Sequence, residues 1–134
     1  MRIISGYAKG RKLNNPPNSN LIRPTSDRAR EALFNILASR ITNANILDIF
    51  AGTGAFGLEA LSRGASSAIF IDKNTISTQL IKKNLEYILK AIPLSQQPTI
   101  KVYQRDATKL DPSFFSKNQI SLEDLDIIFL DPPY

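Results

Sequence analysis

The sequence has 134 residues, of which 43% are hydrophobic and 22% charged, as expected for one globular domain. It contains no cysteine and no histidine, which excludes disulfides, thiolate nucleophiles, Ser-His-Asp triads and nearly every zinc or copper site. No apolar run approaches the roughly 20 residues of a membrane span, and the N-terminus lacks the apolar segment of a signal peptide. We therefore expect a soluble, cytoplasmic protein without a metal.

The net charge of +5 is concentrated near the N-terminus. Residues 1–30 hold seven of the 17 basic residues but one of the 12 acidic residues, so the remainder of the chain is almost neutral. This asymmetry favours a polyanionic partner, and nucleic acid over a membrane, because no amphipathic basic helix accompanies it. The alternative is a solvated, mobile terminus.

Residues 1–24 mix short apolar pieces with glycine, proline and asparagine, which predicts extended or looped structure. Residues 24–27 should open a helix whose core-facing stripe is Ala29, Leu33, Ile36, Leu37 and Ile41. Strands are then predicted at residues 45–50, 68–71, 100–104 and 126–130. Helices are predicted at 55–63, after the capping residue Asn74, and at 112–115. The alternation predicts an α/β fold with a Rossmann-like, doubly wound, mostly parallel sheet.

The predicted sheet stops after its fourth strand, just before the last residue, Tyr134. Doubly wound sheets commonly have about six strands, and a final fourth strand would leave a sheet edge uncovered. We therefore expect a truncated or partial chain.

A glycine-rich segment, Gly52–Gly57, fits the pattern G-x-G-x-x-G between a predicted strand and a predicted helix. Its first glycine permits a tight turn, the second lets the backbone approach a ligand, and the third packs helix against strand. Asp72 ends the next strand, where it could accept hydrogen bonds from ribose hydroxyls. The segment therefore predicts a nucleotide-like ligand, although the glycines could simply shape a turn.

All four predicted strands have an aspartate at or near the carboxyl end: Asp48, Asp72, Asp106 and Asp131. These ends line the ligand crevice of an open α/β sheet. Four carboxylates there would repel a pyrophosphate and attract a ligand that carries an ammonium and a sulfonium. The pattern favours S-adenosylmethionine over NAD, although any single aspartate could be a helix cap or turn residue.

The last four residues, Asp131–Tyr134 (DPPY), could hold a planar amine. Asp131 and the Pro132 carbonyl would accept its two N–H bonds, while Tyr134 stacks on the attached ring. Pro132 and Pro133 would make the loop rigid and extended. A strand stop with an incidental tyrosine is the alternative.

In this order, Asp48–Gly54 (DIFAGTG), Asp72, Asp106–Ala107 and Asp131–Tyr134 resemble class I S-adenosylmethionine-dependent amino-methyltransferases. Three further segments are similar to the RsmD family: Met1–Leu13 (MRIISGYAKGRKL), Arg23–Leu37 (RPTSDRAREALFNIL) and Ala51–Gly64 (AGTGAFGLEALSRG). Members of that family methylate the exocyclic N2 of a guanine in small-subunit (16S) ribosomal RNA. The resemblance covers essentially the whole chain.

The resemblance implies S-adenosylmethionine as cofactor and ribosomal RNA or the small ribosomal subunit as partner, and we expect a monomer. It implies a basic N-terminal arm (1–24) and a methyltransferase domain (25–134). The methionine part of the cofactor would lie at Asp48 and Gly52–Gly54, the ribose at Asp72, and the adenine at Asp106 and Ala107. The full cofactor-binding set is Asp48, Ala51, Gly52, Thr53, Gly54, Asp72, Lys73, Asp106 and Ala107. The catalytic set is Asp131, Pro132, Pro133 and Tyr134, and the RNA-binding set is Lys9, Arg11, Lys12, Arg23, Thr25 and Arg28.

Three other functions stay open. A nicotinamide-dependent oxidoreductase would share the glycine segment and Asp72, but it does not explain Asp48 or the final motif. An amino-methyltransferase that acts on DNA adenine or cytosine, or on a protein glutamine, would share the final motif. A non-catalytic fragment that binds RNA or S-adenosylmethionine is the third.

Overall fold

The computed structural model describes residues 1–15 and 26–132. Its strands are β1 (Asn45–Ile49), β2 (Ser67–Asp72), β3 (Thr99–Gln104) and β4 (Ile127–Leu130). Its helices are α1 (Asp27–Ile41), α2 (Ala55–Ser62), α3 (Thr75–Ala91) and α4 (Pro112–Lys117). All neighbouring strands pair in parallel in the order β3-β2-β1-β4, which confirms the predicted α/β fold. None of the described helices combines the length and apolarity needed to cross a bilayer.

Capping side chains mark the starts of α1 and α3. Ser26 Oγ accepts a hydrogen bond from the Ala29 N–H at 3.1 Å, and Asn74 Oδ1 accepts one from the Ile76 N–H at 2.8 Å. Each cap satisfies a backbone donor that has no partner within its own helix. The predicted starts of α1 and α3 are confirmed.

The larger core lies on the sheet face that α2 and α3 cover. Phe70 of β2 and Ile81 of α3 are fully buried there. Phe56 of α2 stacks on Phe34 of α1 and on Phe129 of β4, with ring centroids 5.0 and 4.1 Å apart. These ring contacts tie α1 and the edge strand β4 to the same core.

A smaller core lies on the opposite face of the sheet, beneath α4. Leu47, Ile69 and Ile71 are buried there against Phe114. On the edge strand β4, two apolar side chains remain exposed, Ile128 by 55% and Leu130 by 60%. The two faces of the sheet are thus covered unequally.

The buried face of α1 differs from the predicted stripe. The predicted members Ala29 and Ile36 are exposed, Ile36 by 80%. The residues that are buried or half-buried are Arg30, Leu33, Phe34, Leu37 and Ile41. The prediction counted aliphatic residues alone, whereas the stacking of Phe34 on Phe56 and the ion pair of Arg30 with Glu59 orient the helix.

Residues 1–13 form an antiparallel hairpin, here named the N-terminal hairpin. The Ile3 N–H donates to the Arg11 carbonyl at 3.0 Å, and the Leu13 N–H donates to the Met1 carbonyl at 2.9 Å. Ile3, Ala8 and Leu13 are buried in the larger core. The described part of the predicted arm is therefore packed on the sheet domain, and the predicted boundary after residue 24 lies outside the described residues.

Candidate functional site

The glycine loop, residues 50–54, joins the end of β1 to α2. Gly52 and Gly54 have positive φ angles of 59° and 78°, a conformation that favours glycine. The Ala51 N–H donates to the Ile71 carbonyl of β2 at 3.0 Å, which fixes the loop above the sheet. The loop lies between β2 and β4, where the strand order reverses, and ligands bind α/β sheets at such switch points.

The third glycine of the pattern, Gly57, is required by the packing of α2 on the sheet. A Cβ atom on this residue would lie 2.3 Å from Cε1 of Phe70 in β2. The predicted packing role of this glycine is confirmed. The close approach also lets the Gly57 N–H donate to Oδ2 of Asp48 at 3.1 Å.

Asp48 is buried beneath the glycine loop, with 1% of its surface exposed. Burial raises the pKa of Asp48 well above its ordinary value of 3.8, and the hydrogen bond from Gly57 opposes this shift. The nearby carboxylates of Asp72 and Asp131 raise the pKa further by repulsion. Asp48, Asp72 and Asp131, three of the four predicted carboxylates, therefore lie close enough for their negative charges to repel one another. A bound cation would offset this repulsion.

Asp72 connects the glycine loop to the start of α3. Its Oδ2 accepts a hydrogen bond from the Gly52 N–H and its Oδ1 accepts one from the Asn74 N–H, both at 2.9 Å. Each carboxylate oxygen has a second lone pair. Asp72 therefore holds the loop in place and keeps acceptor capacity for a ligand hydroxyl.

Asp106 follows β3 and is separate from the buried cluster. Its Oδ1 accepts hydrogen bonds from the backbone N–H of Thr108 at 3.0 Å and from the Thr108 hydroxyl at 2.6 Å. These two bonds, helped by the charges of Lys109 and Lys73, lower the pKa of Asp106. Ala107, the next residue, is half-buried and Lys73 is exposed, so this part of the predicted cofactor set is more exposed to solvent than Asp48.

Asp131 directly follows β4. Leu130 pairs with Ile49 of β1, which brings Asp131 to the sheet edge that carries the glycine loop. Asp131 is exposed and Pro132 is half-buried. The other predicted residues of this motif, Pro133 and Tyr134, lie outside the described residues, and so do Arg23 and Thr25 of the predicted RNA set.

The remaining predicted RNA contacts are exposed basic side chains. Lys9, Arg11 and Lys12 lie on the N-terminal hairpin, and Arg28 lies in the first turn of α1. The hairpin also reaches the glycine loop, because the Thr53 hydroxyl lies 3.8 Å from the Met1 sulfur. The structure thus brings the start of the hairpin that carries these basic residues to the glycine loop.

Sequence reasoning missed Glu59 of α2, which is completely buried. Its Oε1 accepts a hydrogen bond from the Ile4 N–H at 2.8 Å, and its Oε2 accepts from the Ser5 N–H at 3.0 Å and from Nε of Arg63 at 2.9 Å. Arg30 Nε lies 3.5 Å from Oε1. A single carboxylate within the apolar helix AFGLEALS was the available signal, since a buried charge needs partners from elsewhere in the fold.

Within residues 1–15 and 26–132, no group of three or more histidine, cysteine, aspartate or glutamate residues is placed to hold a metal ion.

Residues 1–134 match the model of a protein family described as Conserved hypothetical protein 95, and relatives that align with all of this chain are named Ribosomal RNA small subunit methyltransferase D. The chain belongs to the RsmD methyltransferase family. The family resemblance predicted from the motifs is confirmed.

Three similar proteins show how far the RsmD likeness extends. Ribosomal RNA small subunit methyltransferase D of Haemophilus influenzae is 38% identical over 136 residues, covering 100% of this chain and 64% of that protein. YlbH of Bacillus subtilis, provisionally named an rRNA methyltransferase, is 37% identical over 134 residues, which cover 100% of this chain and 67% of YlbH. The solved structure of Escherichia coli YhhF, provisionally described as a methyltransferase, is 39% identical in sequence and matches with a TM-score of 0.74. The match covers 100% of this chain and 64% of YhhF. The chain thus spans about two thirds of the length of these relatives.

Proposed function

We propose that this chain transfers a methyl group from S-adenosylmethionine to the exocyclic N2 amine of a guanine in small-subunit ribosomal RNA. The observation that carries the proposal is the arrangement of carboxylates at the glycine loop: Asp48 is 1% exposed and Asp72 accepts from the Gly52 N–H at 2.9 Å. Asp131 follows β4 at the same end of the sheet. The names of the RsmD relatives support methyl transfer and ribosomal RNA. The similarity of the N-terminal segments to that family supports guanine N2 as the target.

The residues at the loop fit S-adenosylmethionine better than a dinucleotide. The buried Asp48 and its neighbouring carboxylates would attract the ammonium and sulfonium charges and would repel a pyrophosphate. Asp72 has acceptor capacity for the ribose hydroxyls, and Asp106 with Ala107 would contact the adenine. When bound, S-adenosylmethionine supplies an electrophilic methyl group on its sulfonium.

The substrate amine would be held by the residues that follow β4. Asp131 and the Pro132 carbonyl would each accept one N–H bond, and Tyr134 would stack on the base. With both hydrogens held, the nitrogen lone pair points away from these acceptors, toward the methyl donor. Such positioning can supply about 7–11 kcal/mol of the barrier reduction.

Asp131 would also stabilise the positive charge that develops on the amine. As the N–C bond forms, the C–S bond breaks with its electron pair on sulfur, and the nitrogen then loses one proton to solvent. Asp131 need not be a strong base, because the methylated amine loses this proton readily. A base inside structured RNA must also be unstacked or flipped out to reach this site.

Substitution of Asp131 tests the proposal. We expect Asp131→Asn to lower the rate of methyl transfer to small-subunit ribosomal RNA by about 100-fold, because a charged acceptor for the developing ammonium is lost. Affinity for S-adenosylmethionine, measured by calorimetry, should change less than about twofold. The matched control is Asp124→Asn at an exposed position in a short 3-10 turn, which should leave both quantities unchanged. Normal turnover in Asp131→Asn would refute the role of Asp131.

A further inference from the structure

A groove runs between the segment that follows the N-terminal hairpin and the helix α3. Its volume is about 690 Å³, within the usual range of small-ligand pockets. The described residues that line it are Asn14, Asn15, Ile76, Gln79, Leu80, Lys82, Lys83 and Glu86. None of these lining residues belongs to the predicted cofactor-binding set.

One wall of this groove is held in place by a buried amide. Asn84 of α3 is completely buried, and its Oδ1 accepts a hydrogen bond from the Asn14 N–H at 2.8 Å. Its Nδ2 donates to the Asn14 carbonyl at 3.3 Å. Both polar ends of the buried side chain are thus satisfied by one backbone residue, so the wall is formed before any ligand binds.

The charges in the groove suit a polyanion. Lys82 and Lys83 are exposed, and the ion pairs within 4.0 Å among the described residues involve only Arg30 and Arg63 as cations. Glu86 is the one acid among the described lining residues. The exposed amides of Asn15 and Gln79 add donors of the kind that contact phosphate and sugar.

The groove continues the basic surface of the hairpin. Arg11 and Lys12 precede Asn14 by three and two residues, so their backbones lie within roughly 10 Å of the groove wall. The hairpin is held against α2 through the Ser62 carbonyl, which accepts from the Tyr7 N–H at 2.7 Å. Hairpin and groove therefore form one surface whose shape is fixed by packing.

We propose that this groove is a binding site for the RNA backbone, with Lys82 and Lys83 as phosphate contacts that extend the surface of Lys9, Arg11 and Lys12. The proposal rests on the proposed function, because it names part of the surface that holds the RNA substrate. Polar amides beside unpaired lysines favour phosphate and sugar over an apolar partner.

The test compares two double variants that remove the same charge. Lys82→Ala with Lys83→Ala alters the groove, whereas Lys90→Ala with Lys117→Ala removes two exposed lysines at the ends of α3 and α4. Binding to a single-stranded 20-nucleotide RNA and to small-subunit ribosomal RNA would be measured by fluorescence anisotropy at several salt concentrations. Affinity for S-adenosylmethionine would be measured in parallel.

We expect the groove variant to lose about tenfold in RNA affinity at 0.15 M salt and to lower the salt slope by about 1.4, or 0.7 for each lost contact with a single strand. The control pair should bind RNA within about twofold of the wild type, and both pairs should bind S-adenosylmethionine normally. An equal loss of RNA affinity in the two double variants would contradict the groove as an RNA-binding site and would leave the proposed function unchanged. Failure of the wild type to bind either RNA, with normal binding of S-adenosylmethionine, would overturn the RNA substrate and the groove together.

Discussion

Two buried carboxylates lie at α2, and their surroundings differ: Asp48 of β1 accepts a hydrogen bond from this helix, and Glu59 belongs to it. Asp48 is 1% exposed, accepts one hydrogen bond from the Gly57 N–H, and lies near two other carboxylates. Glu59 is 0% exposed and is surrounded by two backbone N–H donors and the guanidinium groups of Arg30 and Arg63. The two carboxylates are equally buried, but Glu59 has several hydrogen-bond and charge partners, whereas Asp48 has one hydrogen bond and two like charges nearby.

This difference in partners distinguishes a carboxylate that stabilises the fold from one that is suited to bind a ligand. A buried charge with several donors contributes to the fold, because its desolvation is offset by those partners. A buried carboxylate with one donor and two like charges costs stability until a cation arrives. We infer that Glu59 holds the N-terminal hairpin on α2 and that Asp48 contributes to the binding of a cationic ligand.

The largest expected effect is at Glu59. We predict that Glu59→Gln lowers the free energy of unfolding by about 3 kcal/mol, because Arg63 loses its carboxylate and the buried Arg30 keeps only the exposed Asp27 as an ion-pair partner. Denaturant unfolding followed by circular dichroism measures this change. Glu123→Gln, at an exposed position, is the matched control and should change stability by less than about 0.5 kcal/mol. If Glu59→Gln lowered the free energy of unfolding by less than about 1 kcal/mol, the inference that Glu59 stabilises the fold would be contradicted.

A smaller effect of opposite sign is expected at Asp48. The Asn side chain retains an acceptor for the Gly57 N–H but carries no charge, so Asp48→Asn should raise the free energy of unfolding at neutral pH by about 1 kcal/mol. Affinity for S-adenosylmethionine should fall at least about tenfold, since the charge attraction is lost. A variant that is destabilised while it binds the cofactor normally would assign Asp48 to the fold.

The pH dependence of stability sharpens the same comparison. The pKa of Asp48 is raised in the folded state, so between its ordinary value of 3.8 and the raised value Asp48 binds more protons in the folded protein than in the unfolded chain. The contribution of Asp48 to stability is therefore largest at acid pH and is lost as pH rises through its folded pKa. Unfolding curves of wild type and Asp48→Asn should diverge as pH rises, and parallel curves would contradict the raised pKa.

The same titration should also change the affinity for the cofactor. A cationic ligand favours the ionised form of Asp48, so affinity for S-adenosylmethionine should increase with pH, by at most about tenfold for each unit below the pKa of Asp48 in the folded protein. Calorimetric titrations at several pH values measure this dependence, which Asp48→Asn should flatten. If the affinity of the wild type for S-adenosylmethionine did not change with pH, ionisation of Asp48 would not contribute to binding of the ligand.

Most of the fold followed from local patterns. The alternation of apolar runs with capped helices predicted the parallel sheet, and the glycine pattern predicted the position of the loop and the packing of α2. The rotation of α1 could not be predicted in this way, because Phe34 and Arg30 find their partners, Phe56 and Glu59, on a helix more than 20 residues away.

The candidate site was predicted less completely than the fold. Parallel strands place Asp48, Asp72 and Asp131 at one sheet edge, so their proximity followed from the topology alone. The role of Asn84 in fixing Asn14 depends on a contact across 70 residues of sequence, which no local pattern contains. The same is true of Glu59, whose partners Ile4 and Ser5 come from the N-terminal hairpin.

The most direct test of the central claim is a calorimetric titration of the wild-type chain with S-adenosylmethionine, with NADH as the control ligand. The shared field of three carboxylates at the glycine loop predicts saturable binding of S-adenosylmethionine and no binding of NADH. Binding of NADH without S-adenosylmethionine would contradict the methyltransferase site and favour a nicotinamide cofactor instead.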